Sequence, residues 1–282
     1  MSETSQVALV TGSSTGIGFE TSLALARTGF YTYATMRNLE DSNKITEIAN
    51  KEGLPLEVLR LDVTDDNSIK DTINHIYDKN KRIDVLINNA GYALAGPLEE
   101  TSTEEIMKQF ETNFFGAIKT MQSVIPIMRN QMSGKIVNVT SIGGLIAFPL
   151  DSIYHGTKFA LEGVSQSIRY ELGSFNIKII LIEPGAVGSR FWNNINMANK
   201  SDDAHSPYRK TIDTISETFS RMAENVIPPS EVAKVITEAV TTDNPELRYV
   251  IGKDANFILE KSKNLSNKAF EDSMKEQFNL KY

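Results

Sequence analysis

"QVALVTGSSTGIG", residues 6–18, is an apolar run that breaks into a turn with glycines at 12, 16 and 18, then into a helical apolar pattern through Ala26. The glycines remove side chains where the backbone must bend sharply and approach a ligand, and the helix that follows offers unpaired N–H groups at its start. Strand, turn and helix in this order make a cradle for a pyrophosphate. The spacing is G-x-x-x-G-x-G rather than G-x-G-x-x-G, and a glycine-rich turn alone is weak; its place between strand and helix carries the reading. No Lys-Ser or Lys-Thr follows the glycines, which disfavours a nucleoside-triphosphate loop.

The same unit recurs along the chain. Short apolar runs at 6–12, 30–36, 56–62, 83–89, 135–141 and 177–185 alternate with helical periodicity near 17–28, 38–51, 65–79, 102–130 and 153–173. A last strand, 247–252, follows a helix starting near 228, which Ser230 is placed to cap. Strands without strict polar alternation are buried on both faces, and regular strand–helix alternation implies right-handed parallel crossovers. The expected fold is α/β: one Rossmann-type, doubly wound parallel sheet of about seven strands flanked by helices. It forms a single domain over 1–282 with its core at 5–252.

Two segments depart from this rhythm. Residues 186–228 are long and polar, with Phe191 and Trp192 near the start and a helical stretch near 208–224; they read as a substrate lid or as a surface excursion. Residues 254–282 are charged and weakly amphipathic, anchored by Phe257, Ile258, Leu259, Phe270 and Phe278, and read as a packed or frayed helical tail rather than an active element.

Composition narrows the function classes. A chain of 282 residues at 40% hydrophobic content can bury a full core. It has no cysteine, and His75, His155 and His205 are scattered, so no metal site is expected. A net charge of -7 without a concentrated basic patch argues against a nucleic-acid partner; the one dense basic stretch, 79–82, reads as a loop. "MSETSQ" lacks the features of a signal peptide, and no apolar stretch approaches the ~20 residues that span a membrane. A cytoplasmic protein is expected.

The second strand should end near the residue that reads the adenosine ribose, about 20 positions after the glycines. No Asp or Glu lies between Gly29 and Leu39 to accept the 2′-hydroxyl of NAD; Arg37 stands there instead. A guanidinium holds the 2′-phosphate of NADP by paired, charge-assisted bonds, and Ser13 in the turn can add a hydroxyl. NADP(H) is favoured, with NAD(H) as the alternative. The competing reading of Arg37 is a solvated arginine at a loop edge.

Six motifs stand together in order: "TGSSTGIG" (11–18), "NNAG" (88–91), Asn113 within "ETNFFG", Ser141 at the end of "NVTS", "YHGTK" (154–158) and "EPG" (183–185). Over residues 5 to about 252 the chain resembles the short-chain dehydrogenase/reductase family. "YATMR" (33–37) and "RYVIGKDA" (248–255) look like its NADP-preferring branch, which contains hydroxysteroid, retinol and carbonyl reductases.

The resemblance implies that Tyr154 is the general acid/base, Lys158 its activator, Ser141 a substrate-orienting hydroxyl and Asn113 the support of a proton-relay water. It implies cofactor contacts at Gly12, Ser13, Thr15, Gly16, Ile17, Gly18, Arg37, Asp62, Val63, Asn89, Ala90, Gly91, Tyr154, Lys158, Pro184, Gly185, Val187 and Ser189, with Asp62 beside the adenine. Candidate pocket walls are Ala93, Leu94, Ile142, Gly143, Leu145, Phe148, Phe191 and Trp192, beside Ser141; they are largely apolar and predict an apolar substrate. The family usually carries threonine where this chain has Ser189, and often serine where it has Thr157. A homodimer or homotetramer is implied, with 102–130 and 153–173 as contacts.

The chemistry is consistent with those residue types. A carbonyl that accepts hydride becomes an alkoxide and needs a proton; the reverse reaction needs a base, and tyrosine at pKa ~10 is a poor one at neutral pH. Lowering it by about three units takes roughly 4 kcal/mol, about what one cation about 4 Å away supplies at an effective dielectric of about 20, before desolvation is counted. Positions i and i+4 share a helix face, so Tyr154 and Lys158 project together while His155 points roughly 100° away and is not expected to act as a base.

Alone, Tyr-x-x-x-Lys is mostly coincidence. Here it opens a helix after a strand that ends in Ser141, at the carboxyl edge where open α/β sheets bind ligands. Asn113, inside an apolar helix, is costly without partners, which favours a network. Asn88, Asn89 and Gly91 shape a cofactor wall or form an ordinary turn. The expected function is an NADP(H)-dependent oxidoreductase interconverting a carbonyl and an alcohol. The alternative is an NADP-binding sensor without turnover, against which the intact Tyr154, Lys158, Ser141 and Asn113 count. Serine hydrolysis lacks a G-x-S-x-G elbow.

Overall fold

The computed structural model describes residues 5–188, 195–222 and 226–282. Its strands in chain order are β1 (Val7–Val10), β2 (Tyr31–Met36), β3 (Leu56–Arg60), β4 (Val85–Asn88), β5 (Leu94–Ala95), β6 (Gly134–Val139), β7 (Ile177–Pro184), β8 (Asn196–Met197) and β9 (Arg248–Ile251). The helices are α1 (Gly16–Arg27), α2 (Asn43–Glu52), α3 (Asp66–Asn80), α4 (Thr103–Phe110), α5 (Gly116–Gln131), α6 (Ser152–Leu172), α7 (Arg209–Met222), α8 (Pro229–Thr241), α9 (Lys253–Asn264) and α10 (Asn267–Gln277).

Seven strands form one parallel sheet in the order β3-β2-β1-β4-β6-β7-β9. All seven coincide with the apolar runs of the sequence. Every residue of β1 is buried because alternate side chains enter different cores. Val7 and Leu9 pack with Ile73, Val124 and Leu161, from α3, α5 and α6; Ala8 and Val10 pack with Leu25, Val232 and Ile236, from α1 and α8. The winding reverses between β1 and β4, so their carboxyl ends diverge and leave a crevice.

Two local expectations are corrected. Ser230 does not cap α8: the chain enters through Pro228, with Pro229 first in the helix, and Ser230 lies inside the first turn. Proline suits that place because its φ is preset and its missing N–H would be unpaired there anyway. The helix expected over 102–130 is two helices joined by a π-turn at Glu111–Phe115, which holds Asn113. α4 itself starts from a full capping box between Ser102 and Glu105.

Of the two readings of the tail, packed or frayed, the packed one holds. It forms α9 and α10, and Phe278 just beyond them is fully buried, with its ring 6.2 Å from that of Phe148 and 5.6 Å from that of Phe219 on α7. Within 186–228, β8 pairs with β5, and Val187 bridges Ile227. No helix among the described residues is long and apolar enough to cross a membrane.

Candidate active site

A cleft of about 1060 Å³ opens along the carboxyl edge of the sheet. At one end are Arg37, Asn38, Asp41 and Asp62; at the other are Ser141, Tyr154, Lys158, Pro184 and Gly185. Between them lie Gly12, Ser14, Thr15, Gly16 and Ile17 of the first turn, and Asn89, Ala90 and Gly91 after β4.

The turn is shaped for close approach. Gly12 and Gly16 have φ of 69° and 62°, and a Cβ on Gly12 would lie 2.8 Å from the Ala90 Cα. Asn89 braces the turn by donating from Nδ2 to the carbonyls of Thr11 (2.9 Å) and Gly12 (3.0 Å). No side chain among the described residues caps the first turn of α1, so its N–H groups are left toward the cleft. Asp62 takes the Thr64 N–H and hydroxyl on one oxygen, at 3.0 and 2.8 Å.

At the other end, Tyr154 and Lys158 share the first turns of α6, and the Lys158 Nζ sits 5.7 Å from the Tyr154 ring centre while donating to the Val139 carbonyl at 2.9 Å. The Ser141 hydroxyl is hydrogen-bonded to the Tyr154 side chain and accepts the Gly143 N–H at 3.0 Å. Asn113 stands behind this group rather than in the cleft. Its amide brackets the backbone of Tyr92, accepting the N–H at 3.0 Å and donating to the carbonyl at 2.8 Å, and reaches the Thr157 hydroxyl at 3.4 Å. The buried asparagine thus has its partners, and the π-turn points it at them.

Family comparison decides what kind of protein carries this arrangement. The family model described as short chain dehydrogenase matches residues 6–200.

The chain belongs to the short-chain dehydrogenase family.

Among relatives of this chain, the 3-ketodihydrosphingosine reductase of Bacteroides thetaiotaomicron is 32% identical over 92% of each chain. The retinol dehydrogenase 8 of Bos taurus is 34% identical over 88% of this chain and 82% of its own. A short-chain dehydrogenase structure from Streptomyces avermitilis superposes with a TM-score of 0.81 at 29% identity, covering 99% of this chain and 98% of the other. Further solved structures of the same fold hold NADP or a derivative of it.

Several residues assigned from the sequence lie elsewhere. Ser13 is fully buried: its hydroxyl donates to the Val10 carbonyl (3.0 Å) and accepts from Ser22 (3.0 Å), so it cannot also serve a phosphate in the cleft. Ser14 faces the cleft instead. Gly18 does not line it either; a Cβ there would meet Asn89 Nδ2 and the Gly12 carbonyl at 2.4 Å, so its role is close packing of α1 against the turn. Leu94 is held in the β5–β8 pair, and Leu145 packs beside the cluster of Ile142, Ile146, Ala255 and Ile258. Val63, Val187, Ala93, Ile142, Gly143 and Phe148 do face the cleft. Ser189, Phe191 and Trp192 lie outside the described residues.

The cleft also has walls that the sequence reading passed over. Phe219 of α7, and Ala255, Phe257 and Ile258 of α9, with Gln277 of α10, line it, as does Asp151 just before α6. The spacing of Ile212, Ile215 and Phe219 was the available signal for α7, since i, i+3 and i+7 share a face.

Electrostatics revise the tyrosine argument. Burial pushes the Tyr154 phenol above its ordinary value, the Ser141 hydrogen bond opposes this, and the charge of Asp151 adds to it. Burial likewise pulls the Lys158 ammonium down to about 8, against the raising effect of Glu162. The lysine does not lower the tyrosine as charge arithmetic expected, because desolvation favours the neutral form of both.

His155 is structural. Its Nδ1 donates to the Gly143 carbonyl at 2.8 Å and its Nε2 accepts the Phe148 N–H at 2.9 Å, which fixes one neutral tautomer. Burial lowers its pKa, so this contribution to stability is present above the ordinary histidine range and is lost as pH falls below it. His155→Phe strands both backbone groups and is expected to cost about 2–6 kcal/mol, at about 1–3 each, in chemical denaturation. Intact stability with a collapsed kcat would instead place His155 in the chemistry.

Proposed function

We propose that the protein is an NADP(H)-dependent oxidoreductase that interconverts a carbonyl and an alcohol on an apolar small molecule, with Tyr154 passing the proton. The observation that carries this reading is one cleft with a pyrophosphate cradle at its middle and the hydrogen-bonded Ser141–Tyr154 pair, with Lys158 behind it, at its end.

The residues present fit a dinucleotide. Gly12 leaves room where a Cβ would strike backbone, α1 offers uncapped N–H groups, and Arg37 reaches the far mouth with no ion pair among the described residues. Gly12, Thr15, Gly16 and Ile17 would hold the pyrophosphate, Asp62 and Val63 the adenine side, and Asn89, Ala90, Gly91, Pro184, Gly185 and Val187 the nicotinamide side. When bound, the nicotinamide supplies or accepts the hydride.

The protein's own part is the proton and the geometry. Burial keeps Tyr154 protonated at neutral pH, which suits donation to the alkoxide formed in carbonyl reduction. Ser141 is positioned to hold the same oxygen. Lys158 stands behind the tyrosine, and Asn113 acts indirectly by fixing Tyr92 and touching Thr157. Apolar walls at Ala93, Ile142, Phe148, Phe219 and Ile258 favour an apolar substrate, as do the substrates that the two relatives' names state.

NADPH and NADH consumption across a panel of apolar ketones and aldehydes tests this function; consumption of neither would sink it. Asp41 lines the same mouth as Arg37, so preference depends on which of them meets the 2′-oxygen. Arg37→Ala is expected to raise the KM for NADPH by about 10–100-fold, the worth of charge-assisted bonds, and to leave that for NADH nearly unchanged. Equal losses for both would remove the 2′-phosphate assignment.

A further inference from the structure

Asp151 precedes α6 and lies three residues before Tyr154, so the two side chains share one helical face at the reacting end of the cleft. Its carboxyl caps nothing in the helix that follows it. No hydrogen bond or ion pair engages it among the described residues, although its charge is felt at Tyr154. Among the described residues, the basic groups of the adjoining turns offer it no cation. His155 is held neutral by Gly143 and Phe148, and Lys158 is committed to the Val139 carbonyl one turn further on. Phe148, Phe219 and Ile258 line the same cleft.

Asp151 is half-buried at the cleft surface, and a partly desolvated carboxyl without a partner costs free energy that a ligand's donor would offset. Burial lifts this carboxyl to about 7, and a bound cation would return it to the ionised form. A structural acid would show a backbone or basic partner; Asp62 and Asp65, which do have such partners, illustrate the difference.

We propose that Asp151 is a substrate-reading residue that binds a protonated amine close to the reacting carbon, so that the preferred substrates are apolar amino ketones and their amino alcohols. The proposal rests on the oxidoreductase reading and narrows its substrate class. No new covalent step is involved: the ammonium pairs with the carboxylate, and hydride and proton transfer at the neighbouring carbon are unchanged.

The test uses the whole protein with NADPH and four ketones of one chain length that differ only beside the carbonyl, bearing an amine, a hydroxyl, a methyl or a carboxylate. The amino ketone is expected to exceed the methyl ketone in kcat/KM by about tenfold or more, the scale of one charge-assisted hydrogen bond. The hydroxy ketone should fall between them and the keto acid below all. In Asp151→Asn the ratio of amino to methyl ketone should fall toward one. Equal rates for all four ketones in the native protein, or an undiminished ratio in Asp151→Asn, overturn the assignment of Asp151 alone; the first of these needs no variant to fold. Turnover of none overturns the oxidoreductase reading and this proposal with it.

Discussion

Tyr154→Phe is expected to lower kcat for carbonyl reduction by about 10²–10⁴-fold, the usual range for a positioned general acid, while NADPH still binds. The substitution removes one hydroxyl and keeps the ring, so its contacts with the His155 ring and the Lys158 ammonium survive. What is lost is the proton held beside the Ser141 hydroxyl, and with it about 3–5 kcal/mol of transition-state stabilisation at 1.36 per tenfold. The effect should appear in kcat more than in KM, because the proton is transferred only as the alkoxide forms. Stopped-flow or steady-state NADPH consumption checks it, with binding followed separately by NADPH fluorescence. A variant within about threefold of the native kcat would exclude Tyr154 as the proton donor.

The second large effect is on stability. Behind Lys158, Arg248 of β9 stands between two carboxyls that are almost wholly buried, pairing with Glu162 of α6 at 2.8 Å and with Glu183 of β7. Arg248→Ala leaves both acids without their cation, and breaking a buried pair from one side costs about 3–5 kcal/mol. The loss should depend on pH with a definite sign. Burial, then Glu162, raises Glu183 to about 7 against the pull of Arg248, so its protonated form favours the fold. That contribution is complete below the ordinary glutamate range and is lost as pH rises through about 7. Without Arg248 the Glu183 carboxyl costs more to ionise, so the destabilisation should be larger at pH 8 than at pH 5. Denaturant titrations at both values check this, and adding Glu183→Gln to Arg248→Ala should recover part of the loss at pH 8. A loss independent of pH would mean that Arg248 acts through packing alone.

The sheet was legible because its period is simple. The central strands are buried at nearly every position and mostly apolar, and β1 shows why: its two side-chain sets enter two different cores. The approach of Tyr154 and Lys158 was legible too, since i and i+4 fix it before any tertiary contact forms. Their protonation was not. A charge estimate sees the lysine four residues away but not the burial, which moves both groups toward neutrality. Ser13 and Ser14 are neighbours of the same type, and only the backbone direction of the turn decides which hydroxyl is spent on Val10 and which meets the cleft. Asp151 drew no notice for a similar reason: an acid before a helix reads as a cap, and only its lack of a capping bond separates the two cases.

The π-turn at Glu111–Phe115 was hidden for another reason. Its residues are as helical in type as their neighbours, and what is unusual is their number. Such a turn is an α-helix with one residue too many for its arc, and it turns everything beyond it by about 100° relative to everything before. In heredity this is a three-nucleotide matter. Loss of one codon inside the segment would let α4 and α5 merge into a smoother helix while swinging Asn113 away from Tyr92 and Gly116 away from Val63. A smoother helix and a placed Asn113 are therefore alternatives for this segment, and one residue separates them.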